Sequence, residues 1–116
     1  MPPRVPLKPR HYYILLALAE ADRHGLSIAR EVGALSDGQV RLWPATLYGS
    51  LEELRESAWI EEVDDPRERP PEQSDKRRIF RLTAAGRRLL SSETSRLSDL
   101  VNLAKARLKP RARPAS

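Results

Sequence analysis

The residues of this 116-residue chain with any claim to catalytic chemistry are few and poorly grouped. His11 and His24 stand thirteen apart, there is no cysteine, and no His-Glu-x-x-His arrangement occurs, so no metal site is expected. Gly25 and Gly33 lack phosphate-loop spacing. The acids between positions 61 and 75 share a proline-containing stretch that cannot hold two carboxylates in fixed geometry. The pattern predicts neither an enzyme nor a cofactor, and His24, beside Gly25, reads as a turn or cap residue. A different set of residues fits a polyanion. Ala45, Thr46 and Gly49 are small groups that allow close approach to DNA. Thr46 and Tyr48 carry hydroxyls for phosphates or base edges, and Arg41, Lys76, Arg77 and Arg78 supply positive charge. Tyr48 has a second reading as a packing residue on the flank of its helix.

Residues 43–82 must position these groups. Pro44 suits the first position of a helix, where its missing N–H would have no partner anyway. Leu47, Leu51, Leu54 and Ala58 then recur on one face of a 3.6-residue period, with Ala45, Gly49, Glu52 and Glu56 roughly opposite. Residues 59–63 and 78–82 read as short strands. Between them, residues 64–77 hold three prolines and no regular element. A helix, a strand, a charged tip and a returning strand describe a recognition helix and a two-stranded wing. Glu52 and Glu53 would repel phosphates in a groove, so only the first turns of that helix are expected to insert.

Charge is unevenly placed. The net charge is +5, with 40% hydrophobic and 32% charged residues, as in a globular domain with solvated faces. Residues 76–81 carry four bases and no acid, and residues 105–113 carry five bases and no acid, whereas residues 61–75 hold seven acids against two arginines. Clustered bases favour nucleic acid, although such runs also serve simply as solvated faces. The lack of cysteine removes disulfides and thiolate chemistry. No apolar run approaches the roughly 20 residues of a membrane span, and no secretory apolar segment opens the chain, so a cytoplasmic location without membrane contact is expected.

Along the chain, residues 1–9 contain four prolines and read as a flexible arm. Residues 10–20 form a first helix, apolar nearly all round, which needs cover beyond its own core. Residues 22–25 make a turn. A second helix spans residues 26–35, with Ile28, Ala29, Val32 and Leu35 inward. The DNA-binding unit is thus expected over 10–82. Thr83 caps a last helix over 83–109, followed by a basic, disordered tail at 110–116. In that helix Leu90, Thr94, Leu97, Val101, Ala104 and Leu108 alternate at spacings of four and three, with Leu89, Leu100 and Leu103 on the adjoining stripe. This apolar face exceeds what so small a core can cover. A partner helix in a homodimer is the favoured cover, and folding back on its own domain the alternative. The fold class is therefore mostly α with a small β-wing: a winged helix-turn-helix plus a long C-terminal dimerisation helix.

Three segments carry a family resemblance: ILLALAEADRHGLSIAREV, WPATLYGSLEELRESAWI and DKRRIFRLTAAGRRLL. Together they resemble the PadR family of bacterial transcriptional regulators over about residues 12–90, in the branch with a single short C-terminal helix. The His24-Gly25 turn, the Pro44-x-Thr46-Leu47-Tyr48 opening and the Arg81-Leu82-Thr83-x-x-Gly86 junction carry the resemblance jointly. It implies a winged-helix homodimer joined through the first and last helices, with Tyr13, Leu90, Leu97, Leu100, Val101, Ala104 and Leu108 at the seam. It also implies repression of a pseudo-palindromic operator in double-stranded DNA and release by a small aromatic effector. Thr46, Tyr48, Lys76, Arg77 and Arg78 match positions that tend to contact DNA. The sequence departs from the family at Gly49, where many relatives carry a bulkier or basic residue, and at Ala58, where glycine is usual. The last helix has no tryptophan, so aromatic effector lining falls to Tyr12, Tyr13 or Trp43. Two other functions are compatible with the residues: a winged-helix module that docks a protein on its acidic wing, and a small-molecule-binding dimer with a secondary DNA role.

Overall fold

Local signals in the sequence set most of the element boundaries. In the computed structural model of the protein, which describes residues 7–63 and 78–111, Pro9 opens helix α1 (Pro9–Glu20). Strand β1 (Arg23–His24) and helix α2 (Gly25–Leu35) follow, then helix α3 (Pro44–Glu56), strands β2 (Ile60–Val63) and β3 (Ile79–Leu82), and helix α4 (Ala84–Leu108). The wing tip at 64–77, the arm before Leu7 and the tail from 112 lie outside the described residues.

The turn expected at residues 22–25 is instead partly a strand. Arg23 pairs with Phe80 and His24 with Ile79, so the sheet has three antiparallel strands in the order β1-β3-β2 rather than two. The Arg23 guanidinium pins this reversal by donating to the Ala17 carbonyl (3.0 Å), the Ser27 hydroxyl (3.1 Å) and Glu20 (2.9 Å). His24 then caps α2, its Nδ1 accepting the Ser27 N–H.

Two helices end in the same way. At the end of α2, Gly38 N–H donates to Gly33 and Asp37 N–H to Ala34; at the end of α3, Trp59 N–H donates to Leu54 and Ala58 N–H to Arg55. Both patterns are Schellman motifs, which need a left-handed residue after the cap. Asp37 (φ 52°) and Ala58 (φ 62°) occupy those positions. Ala58 therefore does not continue the apolar face of α3, as its spacing suggests. It lies beyond the helix end, exposed, in a conformation that costs an L-residue roughly 1–2 kcal/mol. Ala58→Gly is expected to raise stability by about 0.5–1 kcal/mol, the relieved strain being partly offset by the freer unfolded glycine. A urea midpoint that fails to rise would contradict this account.

The core gathers Ile14, Leu15 and Leu18 of α1, Ile28 and Val32 of α2, and Leu47, Leu51 and Leu54 of α3. Around them stand Leu42, Ile60, Phe80, Leu82 and Leu90. The buried stripe of α2 centres on Gly25, Ile28 and Val32 and passes on to Ser36. That leaves Leu35, expected inside, at its edge and exposed. Thr83 ties α4 to the end of α3. Its N–H donates to the Trp59 carbonyl, its hydroxyl donates to the Ala58 carbonyl (2.7 Å), and the same oxygen accepts the Gly86 N–H.

Candidate nucleic-acid interface

The outer surface of α3 is built from small and exposed groups. Leu47, Leu51 and Leu54 anchor the helix inward, which turns Ala45, Thr46 and Gly49 to solvent, with Arg41 and Trp43 exposed just ahead. Trp43 is the N-cap residue and its indole makes no capping bond. Pro44 has no N–H, and the first helical hydrogen bond runs from Leu47 N–H to the Trp43 carbonyl. The N–H groups of Ala45 and Thr46 thus project from the positive end of the helix without intrahelical acceptors. A side chain added at Gly49 would meet nothing within 4 Å.

Tyr48 fits both of its readings. It is 38% exposed, yet its ring lies against the start of α2. A Cβ added at Gly25 would stand 2.9 Å from the Tyr48 hydroxyl oxygen, so a side chain there would push the end of the Tyr48 ring aside.

Arg78 departs from the expectation of a free wing base. Its guanidinium donates to both Glu62 oxygens (3.2 Å each) and to Glu52 of α3 (3.3 Å), and it lies 5.2 Å from the centre of the Phe80 ring. Its hydrogen bonds to Glu62 and then to Glu52 hold its pKa above the ordinary arginine value. Glu52 in turn sits below its ordinary value, chiefly through Arg55 and then Arg78. Arg78 therefore clamps the wing to the recognition helix, and its charge is already matched. Glu53, the other acid that would repel phosphates in a groove, pairs with Lys8 (3.6 Å) and approaches His11 (3.4 Å). Lys76 and Arg77 lie outside the described residues.

The residues assigned to a seam divide into three groups. Leu90 belongs to the protomer's own core. Tyr13 and Leu97 are half-buried, whereas Leu100, Val101 and Leu108 are 48–82% exposed and Ala104 is exposed, as is Leu103 on the adjoining stripe. Tyr12 and Tyr13 line a groove of about 370 Å³ between α1 and α4, beside Leu97 and the buried Glu93, which is bonded to Arg96 (2.7 Å). Trp43, named with those tyrosines as effector lining, does not line this groove. The Tyr12 hydroxyl shares a 2.8 Å hydrogen bond with Thr94. Among the described residues no group of three or more potential ligands could hold a metal ion, and no helix is long and apolar enough to cross a membrane. Sequence reasoning missed Arg78–Glu52, His11–Glu53 and Glu93–Arg96. The last pair had a visible signal, opposite charges three residues apart on one helix.

A helix-turn-helix whose third helix is followed by an antiparallel β2–β3 wing defines a winged helix-turn-helix protein. The chain belongs to the transcriptional regulator PadR-like family, whose model matches residues 14–92. It is similar to an uncharacterized 37.1 kDa protein in transposon TN4556 of Streptomyces fradiae, at 34% identity over 87 residues, or 75% of this chain. The chain spans 22% of the length of that relative. Two solved structures share the fold. A PadR family transcription regulator from Clostridium difficile R20291 aligns at TM-score 0.69 and 19% identity, covering 87% of this chain and 99% of its own. A PadR-like regulator from Bacillus cereus aligns at TM-score 0.69 and 14% identity, covering 87% and 92%.

Proposed function

We propose that the chain is a homodimeric, sequence-specific DNA-binding regulator that acts in the cytoplasm, represses its target promoters and is released by a small aromatic effector. The observation that carries the DNA reading is the uncapped, small-residue start of α3, exposed beside Arg41. It offers free N–H groups to a phosphate and lets the helix approach base edges closely. Thr46 and Tyr48, a residue 38% exposed, supply side-chain contacts. The bases Lys76 and Arg77 add a wing contact, to which the paired Arg78 contributes by holding β3 against α3. Two copies joined through the exposed face of α4 would set two recognition helices on successive major grooves of a pseudo-palindrome, with half-sites roughly 34–36 Å apart. The groove between α1 and α4 lies beside that face, where an aromatic effector would alter how the copies meet.

The test is fluorescence anisotropy with the duplex upstream of the gene for this protein against a scrambled duplex, at two salt concentrations. A preference of ~10³ or more, weakened steeply by salt, is expected. Gly49→Glu sets a carboxylate on the open face of α3 without disturbing any packing. It should weaken native-duplex binding by about tenfold or more while the melting temperature holds or rises, because a glycine inside a helix gives way to a better helix former. Unaltered affinity would remove this face of α3 from the interface.

A further inference from the structure

A second cavity, of about 360 Å³, lies on the other side of α1 from the tyrosine groove, between His11 and the C-terminal half of α3. Leu7, Leu54 and Trp59 give it apolar walls, and Lys8, Glu53 and Ser57 complete the lining. Its volume falls in the range of small-molecule sites. His11 contributes an unusual group. The residue is 6% exposed, and its Nε2 atom is buried with no hydrogen-bond partner. Buried polar atoms left unpaired cost stability and are uncommon, so each calls for a role.

Glu53 Oε2 stands 3.4 Å from that nitrogen without making a hydrogen bond to it, while Lys8 holds the same oxygen at 3.6 Å. Both Glu53 and Lys8 side chains are about half exposed, so each can swing without disturbing the core. Glu53 is thus a movable cover over a fixed imidazole. Burial pushes the His11 imidazole below its ordinary value; the Glu53 carboxylate opposes this, and Arg10 and Lys8 add to it. A neutral imidazole carries one proton on either nitrogen, and a donor entering beside Glu53 selects the form with that proton on Nδ1, in which the Nε2 lone pair is an acceptor. Two acceptors, one neutral and one anionic, then stand side by side at the end of an apolar slot.

We propose that this pocket binds a small planar nitrogen heterocycle with two adjacent N–H donors, one given to His11 Nε2 and the other to the Glu53 carboxylate. The ring would lie between Leu54 and Trp59, and binding would turn Glu53 outward from its present contact with Lys8. The inference is independent of the DNA reading, because it concerns only ligand occupancy of the α1–α3 cleft.

The test titrates the full chain with 2-aminobenzimidazole while the imidazole nitrogens are followed by ¹⁵N NMR. With two histidines in the sequence, His24 serves as internal reference. A saturable shift at His11 Nε2 with His24 unmoved is expected. Indole, similar in shape but with one N–H, should bind about tenfold or more weakly, as should 2-aminobenzimidazole to Glu53→Gln, since each loses a hydrogen bond to a charged acceptor. Glu53 is half exposed, so this variant keeps the fold, whereas His11→Phe would alter a buried position. Absence of a saturable His11 shift up to about millimolar ligand, well short of which a site with these two hydrogen bonds should fill, would overturn the proposal. So would equal affinities for indole and for the Glu53→Gln variant, because the pocket would then be reading shape alone.

Discussion

Leu100→Glu combined with Val101→Glu is expected to leave a folded monomer that has lost operator binding. The two side chains are 48% and 50% exposed in the protomer, so their replacement removes no core contact, and the melting temperature of the isolated subunit should hold. The effect falls on whatever covers that face. Past Leu97, α4 has no buried residue, yet Leu100, Val101, Leu103 and Leu108 all stand on it. Burying each against a partner is worth roughly 1.5–3 kcal/mol. In a two-fold interface every substitution appears twice, so the double variant would bring four carboxylates into an apolar seam, each expensive to desolvate without a partner. A loss of ~4 kcal/mol or more, about a thousandfold in dimer affinity, follows. Sedimentation velocity reads the assembly and anisotropy reads the DNA. A monomer engages one half-site, forfeiting the ~10²–10⁴ gained from linking two. A variant that still sediments as a dimer would move the seam off this part of α4.

The sequence carried most of what local chemistry can encode. Pro44 and Thr83 mark helix starts through the properties of one residue each, and both open α3 and α4 where expected. The period of Leu47, Leu51 and Leu54 shows which side of α3 faces in, and so which side carries Ala45, Thr46 and Gly49. What stayed hidden depends on partners distant in the chain. β1 is two residues long, an arginine and a histidine, and exists only because β3 is there to pair with it. Arg78 reads as one of three consecutive bases until folding sets Glu52 and Glu62 against it. Folding thus makes it a clamp between β3 and α3, which its residue type alone does not announce. The spacing of Ala58 continues a helical stripe, but the helix has already stopped two residues earlier. The left-handed turn there belongs to the closure of α3, in which the Trp59 N–H returns to the Leu54 carbonyl. His11 shows the same limit, since the interior of α1 is not distinguished from its surface when the run is apolar nearly all round.

The largest effect on stability is expected at Gly86, where the substitution that ordinarily favours a helix should here damage the fold. Gly86 lies in the first turn of α4, and its N–H is capped by Thr83. Above its Cα passes the Trp59 main chain: a Cβ at position 86 would collide with the Trp59 carbonyl oxygen and stand 2.9 Å from both the Trp59 carbonyl carbon and a Leu82 methyl. A flexible side chain could yield, but this obstacle is mainly backbone, and it is held by the bonds from Thr83 to the carbonyls of Trp59 and Ala58. Relief requires α4 to back away from the end of α3, breaking the cap. Alanine would contribute up to about 1 kcal/mol through helix propensity, against an overpacking cost of about 3 kcal/mol or more for a backbone clash. The cost should win, and Gly86→Ala should lose about 2 kcal/mol or more, or roughly 8 °C or more in melting temperature for a domain near this size. Gly33→Ala supplies the contrast. Gly33 sits within α2 with nothing within 4 Å of the added carbon, so the same substitution should stabilise by about 0.5–1 kcal/mol. Opposite signs for one chemical change, read from two urea midpoints, would separate close approach from propensity. Equal midpoints would mean that the Trp59 carbonyl gives way at no cost, and that the Thr83-x-x-Gly86 junction owes its glycine to something other than this contact.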